Sequence, residues 1–361
     1  MVRLGDICKF QSGGTPSKGE PSHFNGNIPW ITTVALNGSI IDESYAVDWI
    51  TEKAIENSAA KVVPANSVMV GTRVGVGKVA INKVPMSTSQ DIISMLDIDE
   101  SKWSKEFVCK FILGKATYLN SQARGATIKG IKIETLAGLQ LPDIPLDQQC
   151  KIAVSIDAVN NLIALRKEQL AKLDQLVKSR FIELFGDYRI NEKGFDCKKG
   201  SELFKFSSGK FLPEEKRLDE GIPVYGGNGI VWYTSESLVD YPTIIIGRVG
   251  AQCGNIHAVT TPVWITDNAI YIKEQKTNAY TLEFLTELMR MMDFYQYADF
   301  SGQPKITQKP LETLNYIMPP IELQNEYTAF VEQTDKSKLA VQQSLEKLEA
   351  LKKSLMQQYF G

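Results

Sequence analysis

Across residues 321–361 the core-type positions recur three and four apart: Val331, Thr334, Lys338, Val341, Leu345, Leu348, Lys352, Leu355 and Tyr359. Residues 146–186 carry the same pattern at Ile156, Val159, Ile163, Arg166, Leu170, Leu173, Val177, Arg180 and Leu184. That is a seam of period 3.5, the signature of a coiled coil. Neither stretch contains proline, and glycine appears only at the closing Gly186 and Gly361. Two long helices are therefore predicted, each of about 36 residues and roughly 54 Å. Belonging to one chain, they can pair antiparallel. The alternatives are a solvent-facing helix on each domain or a dimerisation helix. Polar seam positions such as Lys338 and Arg166 argue against a wholly dry seam, or leave part of it to a third partner.

The remaining sequence has the other periodicity. Residues 1–146 hold short apolar, β-branched runs, such as Ser67 to Val74 and Asp91 to Leu96, separated by Gly, Pro, Asn and Ser. Residues 187–322 hold Pro242 to Val249 and Asn268 to Ile272. These read as strands. Each segment also has a helix-like stretch near its end, Lys105 to Asn120 and Leu282 to Tyr297.

The chain states this plan twice. Leu170 to Gly186 aligns without a gap on Leu345 to Gly361, with eight of seventeen positions identical, where roughly one is expected from ordinary composition. Upstream, Ile144-Pro-Leu-Asp-Gln-Gln149 falls on Pro319-Pro-Ile-Glu-Leu-Gln324. The strand-rich segments have diverged further but keep a skeleton. Gly5 to Phe10 meets Ser201 to Phe206, Ile28-Pro29 meets Ile222-Pro223, Arg73-Val-Gly75 meets Arg248-Val-Gly250, and Glu134-Thr-Leu136 meets Glu312-Thr-Leu314. The expected fold class is α+β. Two pseudo-two-fold-related mixed α/β domains, 1–146 and 187–322, are separated by two long antiparallel coiled-coil helices, 147–186 and 323–361. A protein with two-fold internal symmetry suits a two-fold partner.

Composition narrows the setting. No apolar run approaches the eighteen or so residues that span a bilayer, and the start has no stretch of signal-peptide length. The five cysteines are scattered without C-x-x-C spacing, and there are two histidines, His23 and His257. Neither a disulfide framework nor a structural zinc site is expected, and the setting reads as cytosolic. The net charge of −2 does not announce nucleic acid. Residues 1–146 carry 15 basic and 14 acidic side chains, and 187–322 carry 14 and 18. Contact with phosphates must come from local patches or a partner subunit.

Several motifs tempt and fail. Gly75-Val-Gly77-Lys-Val-Ala80, with Asp97 downstream, matches a dinucleotide fingerprint. The residues after Gly77 read as strand and turn, so no helix N-terminus would face a pyrophosphate. The second copy, Gly250-Ala-Gln-Cys-Gly254, breaks the spacing. Gly71 to Lys78 is one residue too long for a P-loop, and Val79 replaces the required Ser/Thr. Met318-Pro-Pro-Ile321 lacks the polar head and the aromatic of a base-flipping methyltransferase motif. Pro142-Asp143 is not followed by the carboxylate and lysine of a nuclease. No catalytic and no metal-ligating residue is assigned. Gly13-Gly-Thr-Pro-Ser17 reads as a tight loop: Gly-Gly permits positive φ and Thr-Pro starts a turn. Thr15, Ser17 and Lys18 would project from it toward phosphates or base edges. Arg73 and Arg248, each after a strand, can reach a guanine edge or a phosphate, or serve a local carboxylate.

Taken in order, the opening Leu4-Gly-Asp-Ile7 with Gly13-Gly-Thr-Pro-Ser17, Ile28-Pro-Trp-Ile31, the two Pro-to-Gln helix starts and the duplicated layout resemble the specificity subunit of Type I restriction–modification enzymes. The resemblance spans the whole chain. It implies that each diverged domain is a target recognition domain reading one half of a bipartite double-stranded DNA site. The helix pair would fix the gap between halves. It implies no catalysis and no cofactor in this chain. Two modification subunits, which bind S-adenosylmethionine and methylate adenine, would be recruited, together with restriction subunits that translocate and cut DNA. The DNA-facing candidates are then Thr15, Ser17, Lys18, Arg73, Lys78 and Lys129 in the first domain. In the second they are Asn228, Arg248, Gln252, Gln303 and Lys305. The spacer seam comprises Ile156, Val159, Ile163, Leu170, Leu173, Val177, Val331, Val341, Leu345, Leu348 and Leu355. The second domain departs from the opening pattern, with Phe206-Ser-Ser-Gly-Lys210 in place of Gly-Gly-Thr-Pro-Ser and Val224-Tyr225 in place of Trp-Ile. A different class of reading is a non-enzymatic coiled-coil scaffold with two protein-binding modules, and a third is a methyltransferase with an unrecognisable cofactor site. Enrichment of specific duplex DNA in the presence of partner subunits separates the first from the scaffold. S-adenosylmethionine binding by the isolated chain separates it from the methyltransferase.

Overall fold

The computed structural model describes residues 1–125 and 129–361. The chain divides into two units: Met1–Arg166 with Ser344–Gly361, and Lys167–Gln343. Both divisions fall inside the long helices, Leu146–Phe185 and Ile321–Phe360, of 40 residues each.

In the first unit a five-stranded sheet runs in the order Lys9–Ser12, Ile92–Leu96, Val68–Gly71, Val79–Asn82, Ile40–Ile41. A four-stranded sheet, Asp48–Ile50, Phe24–Ile31, Met86–Thr88, Val62–Val63, accompanies it. Val68–Gly71 and Val79–Asn82 are buried at every position, which accounts for their unbroken apolar runs. The helix Lys105–Gly114 covers the sheet with Phe107, Val108, Phe111 and Ile112, all fully buried. Its start is fixed by Ser104, whose Oγ accepts from the Phe107 amide at 3.2 Å. The helical stretch expected to reach Asn120 breaks at Lys115 and resumes as Ala116–Gln122.

The second unit repeats the order. Its four-stranded sheet is Phe204–Ser208, Ala269–Gln275, Thr243–Gly247, Ile256–Val259, beside a three-stranded sheet of Gly229–Thr234, Ile222–Gly226 and Trp264–Ile265. The helix Leu282–Met291 takes the place of Lys105–Gly114, and Thr281 caps it as Ser104 does. It ends just before Asp293, which is left-handed at φ 46°, ahead of the short turn Phe294–Tyr297.

One device ties helix to sheet in both units. Gln149 and Gln324, on the first turn of each long helix, are 1% and 0% exposed. The Gln149 Oε1 accepts from the Ser104 amide at 2.9 Å, and its Nε2 donates to the carbonyls of Lys102 and Ile144. The Gln324 Oε1 accepts from the Thr281 amide at 2.9 Å, and its Nε2 donates to Ala279 and Pro319. A buried amide needs all its bonds met, and here the same three partners meet them twice.

Within each unit the long helices pair antiparallel. In the first, Arg166 Nε donates to Ser344 Oγ at 3.2 Å, and Phe360 packs on Phe107 and Phe111. In the second, the Lys338 ammonium bridges Asp174 at 2.8 Å and Asp335 at 3.4 Å, and Arg180 pairs with Glu326. The polar seam residues Arg166, Lys338 and Arg180 are thus partnered across the pair. Val177, Phe181 and Phe185 enter the core with Phe284 and Tyr327.

Candidate functional site

Gly13 and Gly14 open the first candidate loop, for a reason other than the expected positive φ, which neither adopts. They are needed for close approach. A Cβ on Gly13 would lie 2.2 Å from the Ser89 carbonyl oxygen, and one on Gly14 would lie 2.1 Å from the Ala59 backbone. The Gly13 amide donates to Ile92 O and that of Gly14 to Thr88 O, so the loop closes onto both sheets. Thr15, Ser17 and Lys18 then stand exposed beyond it. In the second unit the same bonds run from Gly209 to Ala269 and from Lys210 to Ile265. Gly209 therefore takes the place of Gly13, and Lys210 that of Gly14. An indole closes each loop, with Trp30 donating to Gly14 O and Trp264 to Lys210 O, although the two tryptophans come from different strands.

Arg73 and Lys78 belong to a different loop, 71–78, and Lys129 to the described residues 129–131 beside it. The Ile131 amide donates to Thr72 O, and Arg124 bridges Gly130. Gly130 lies against Arg73: a Cβ there would meet its Cγ at 2.9 Å. Arg73, Gln122, Arg124, Gly130, Lys132 and Thr135 line a cavity of about 490 Å³, together with Ile131. Three cations with no carboxylate in the lining make a field suited to an anion. Arg124 and Lys132 were not singled out from the sequence. Their signal was present in Arg124-Gly-Ala-Thr-Ile-Lys-Gly-Ile-Lys132, three cations and two glycines within nine residues, but nothing in one copy marks it as facing Arg73.

The second unit builds the equivalent place from amides. The strands Ile222–Gly226 and Gly229–Thr234 join through the two-residue turn Gly227-Asn228. Asn255 Nδ2 donates to Asn228 Oδ1 at 2.8 Å and to Gln252 Oε1 at 2.9 Å. A Cβ on Gly250 would lie 3.5 Å from Gln303 Nε2, and Lys305 bridges Val249. Arg248 is half-buried, its Nη1 donating to Asp267 O at 3.3 Å. The structure brings Asn228, Arg248, Gln252, Gln303 and Lys305 into one set of neighbouring loops. It keeps Thr15, Ser17 and Lys18 in a loop separate from Arg73, Lys78 and Lys129.

The equivalence of Arg73 with Arg248 needs correction. The Thr72 amide donates to Asp91 O and Thr72 O accepts from Ile131; the Arg248 amide donates to Asn268 O and Arg248 O accepts from Ile306. Arg248 therefore corresponds to Thr72. Arg248 directly follows its anchoring Gly247 whereas Arg73 is second after Gly71, and the second loop, Gly247 to Gly254, is one residue longer overall than Gly71 to Gly77.

Of the seam residues, Ile156, Val159, Val177, Val341 and Leu345 are buried. Ile163, Leu170, Leu173, Val331, Leu348 and Leu355 are half-buried, while Lys352 is exposed. Burial pushes the Cys8 and Cys109 thiols up to about 12, so both are protonated at neutral pH. Among the described residues no cluster of His, Cys, Asp or Glu is placed to hold a metal ion, and no helix is long and apolar enough to cross a membrane.

Two units of one topology, each presenting cationic or amide-rich loops and joined by paired long helices, define a duplicated recognition protein. The chain belongs to the family of the Type I restriction modification DNA specificity domain, which it matches twice, over residues 1–175 and 192–351. It is 26% identical over 360 residues to the Type I restriction enzyme EcoprrI specificity subunit of Escherichia coli, covering 92% of this chain and 86% of that protein. Its fold is similar to the crystal structure of a Type I restriction–modification S subunit from M. genitalium, with TM-score 0.67 and 18% identity over 99% of this chain and 95% of that one. It is also similar, with TM-score 0.63 and 16% identity over 99% and 96%, to a chain solved in work on complex assembly and conformational transition of the type I R-M system. The chain is a DNA specificity subunit of the Type I class.

Proposed function

We propose that residues 1–146 and 187–322 are two target recognition domains that read the two halves of a bipartite duplex DNA site independently. The spacer helices 147–186 and 323–361 then set the number of base pairs between the halves. The observation that carries this reading is the double family match falling on two units that share a topology and differ in their loops. In the first domain Arg73, Lys78 and Lys129 reach phosphates or guanine edges, joined by Arg124 and Lys132, with Thr15, Ser17 and Lys18 on a second loop. In the second, Asn228, Gln252 and Gln303 supply amides, the side chains that pair with adenine, and Arg248 and Lys305 supply charge.

The chain contributes recognition and no chemistry. Modification subunits, two per chain, carry S-adenosylmethionine and transfer the methyl group, and restriction subunits act on the same complex in the cytoplasm. A near-neutral protein makes few phosphate contacts, so much of the electrostatic affinity comes from those partners. The purified chain alone should bind DNA weakly at physiological salt and should not methylate it.

Sequencing of methylated adenines tests the reading. Exchanging residues 1–146 for another such domain should change one half of the methylated sequence; changes in both halves would refute independent readout. Duplicating Leu170 to Leu173 adds about 6 Å of helix, and DNA rises about 3.4 Å per step. The spacer should lengthen by one or two base pairs with both halves unchanged. The four-residue insertion turns the downstream helix only about 40° past a full turn, a stutter that local unwinding absorbs. A two-residue insertion turns it by about 200° and should abolish assembly.

A further inference from the structure

The two units differ at one sheet edge. In the first, Ile40–Ile41 pairs parallel with Val79–Asn82 and covers it. The Ile81 amide donates to Ser39 O, the Lys83 amide to Ile41 O, and Val79 O accepts from Gly38. The covering strand comes from the 16 residues between Phe24–Ile31 and Asp48–Ile50. In the second unit the two-residue turn Gly227-Asn228 replaces that whole excursion. Ile256–Val259, the counterpart of Val79–Asn82, is left as the last strand of its sheet. Ile81 is 3% exposed, whereas Ala258, which takes its place, is exposed, as is Thr260.

The helix facing this edge differs in the same sense. Lys110 is 4% exposed, and its ammonium pairs with Asp157 and donates to Gly38 O at 3.2 Å. The covering segment thus supplies one of its partners. Glu287 stands at that position of the second helix and is also 4% exposed. Its Oε2 accepts a long 3.4 Å contact from Arg290, and its Oε1 is buried without a partner. It lines a cavity of about 300 Å³ shared with Ala258, Thr260, Glu283, Arg290, Asp335 and Lys338, the last already held by Asp174 and Asp335. A buried carboxylate oxygen without a donor is costly, and an open strand edge is a template for another chain.

The geometry points to a strand-addition site in the second unit: an extended segment of a protein partner pairs along Ile256–Val259 and places a lysine or arginine side chain against Glu287. The first unit shows the completed form built from its own chain, where the covering segment gives a carbonyl to the buried Lys110 and the long helix gives Asp157. A donor is required because Glu287 Oε1 accepts no bond, and a lysine or arginine supplies one with the complementary charge. Resting on the proposed recruitment, the partner is the modification subunit. Main-chain bonds to the Ala258 and Thr260 amides would give affinity, and the Glu287 pocket specificity.

Amide hydrogen exchange on the full chain, alone and with its modification subunit, tests this. The Ala258 and Thr260 amides should exchange freely in the chain alone and be protected at least about tenfold in the complex. The Ile81 amide should be protected in both. Ala258→Pro removes the outward donor at an edge position that tolerates proline. Glu287→Lys fills the pocket with the wrong charge. Each should weaken the complex roughly thirtyfold or more. A complex that leaves Ala258 freely exchanging rejects the site and leaves recruitment standing. Protection that appears in the chain alone and grows with concentration assigns the edge to a second copy and overturns the proposal. Protection by duplex DNA without the subunit overturns it in favour of DNA. Absence of any complex overturns the recruitment reading itself, and this inference with it. Should Ala258→Pro fail to fold, Glu287→Lys and the exchange rates decide.

Discussion

Lys110 and Glu287 occupy the same turn of the same helix in the two units, equally buried and opposite in charge. In the first unit the charge is met by Asp157 and by the Gly38 carbonyl, just ahead of the strand that covers the sheet. In the second the covering strand is missing, and half the carboxylate goes unmet. The shared topology survived duplication where its polar groups are closed on themselves, as at Gln149 and Gln324. It diverged where a loop could be exchanged for an opening. One fold therefore yields a self-sufficient unit and an unfinished one.

The hardest test of the shared part removes the glutamine bonds. Gln149→Leu and Gln324→Leu should each cost about 3 kcal/mol, since buried backbone groups at both ends of the amide lose their partners. Two units need not unfold in one step, so hydrogen exchange in each unit is the proper measure. Clearly unequal losses would show that the two ties differ in kind.

The divergent part should answer with opposite signs. Lys110→Met strands Asp157 and the Gly38 carbonyl and should destabilise the first unit by about 2 kcal/mol, tempered by the partial exposure of Asp157. Glu287→Met removes a poorly met charge and should be neutral or stabilising by about 1 kcal/mol. A large loss from Glu287→Met would mean that the second unit is already complete.

At the loops, Arg73→Ala and Arg248→Ala should each cost about 1–3 kcal/mol of DNA affinity in the assembled complex and relax one half of the methylated sequence only. Relaxation of both halves by one substitution would erase the distinction between units.

The smallest effect concerns His257, whose pKa burial, with the nearby Arg290 charge, holds below its ordinary 6.5. The folded state then prefers the neutral ring. Its contribution is complete above pH 6.5 and is lost as pH falls below that value toward the folded pKa. Thermal melts between pH 7.5 and 5.5 should show a shallow decline in the second unit, and His257→Phe should flatten it. The first unit, with Ala80 at the matching place, should lack this component.

Much of this was legible in the sequence. The long helices could be read because forty residues without proline repeat a three-and-four spacing, and two copies fix the register. The buried strands announced themselves as runs such as Ile244-Ile-Ile246. Three features could not be read. Ile40–Ile41 is a two-residue strand with no pattern of its own, so the closed edge stayed hidden, and with it the open one. The Arg248 loop gained one residue between its glycines, and a match of Arg-Val-Gly to Arg-Val-Gly conceals that. Gly13 and Gly14 are dictated by backbone carbonyls brought up from distant strands, and sequence proximity does not show such crowding.

The first unit is completed by Ser344–Gly361, with Phe360 set against Phe107 and Phe111. A ribosome reaches those residues only after the whole of the second unit. After Arg166 another 195 residues must be made, which at ordinary rates of synthesis takes roughly 10 to 40 s. The second unit, Lys167–Gln343, has its whole sequence translated while the first still lacks its closing helix. The N-terminal unit therefore cannot be completed until the sequence of the second has been made. A stop codon before Phe360 removes the ring that packs on Phe107 and Phe111, about 250 residues earlier in the chain.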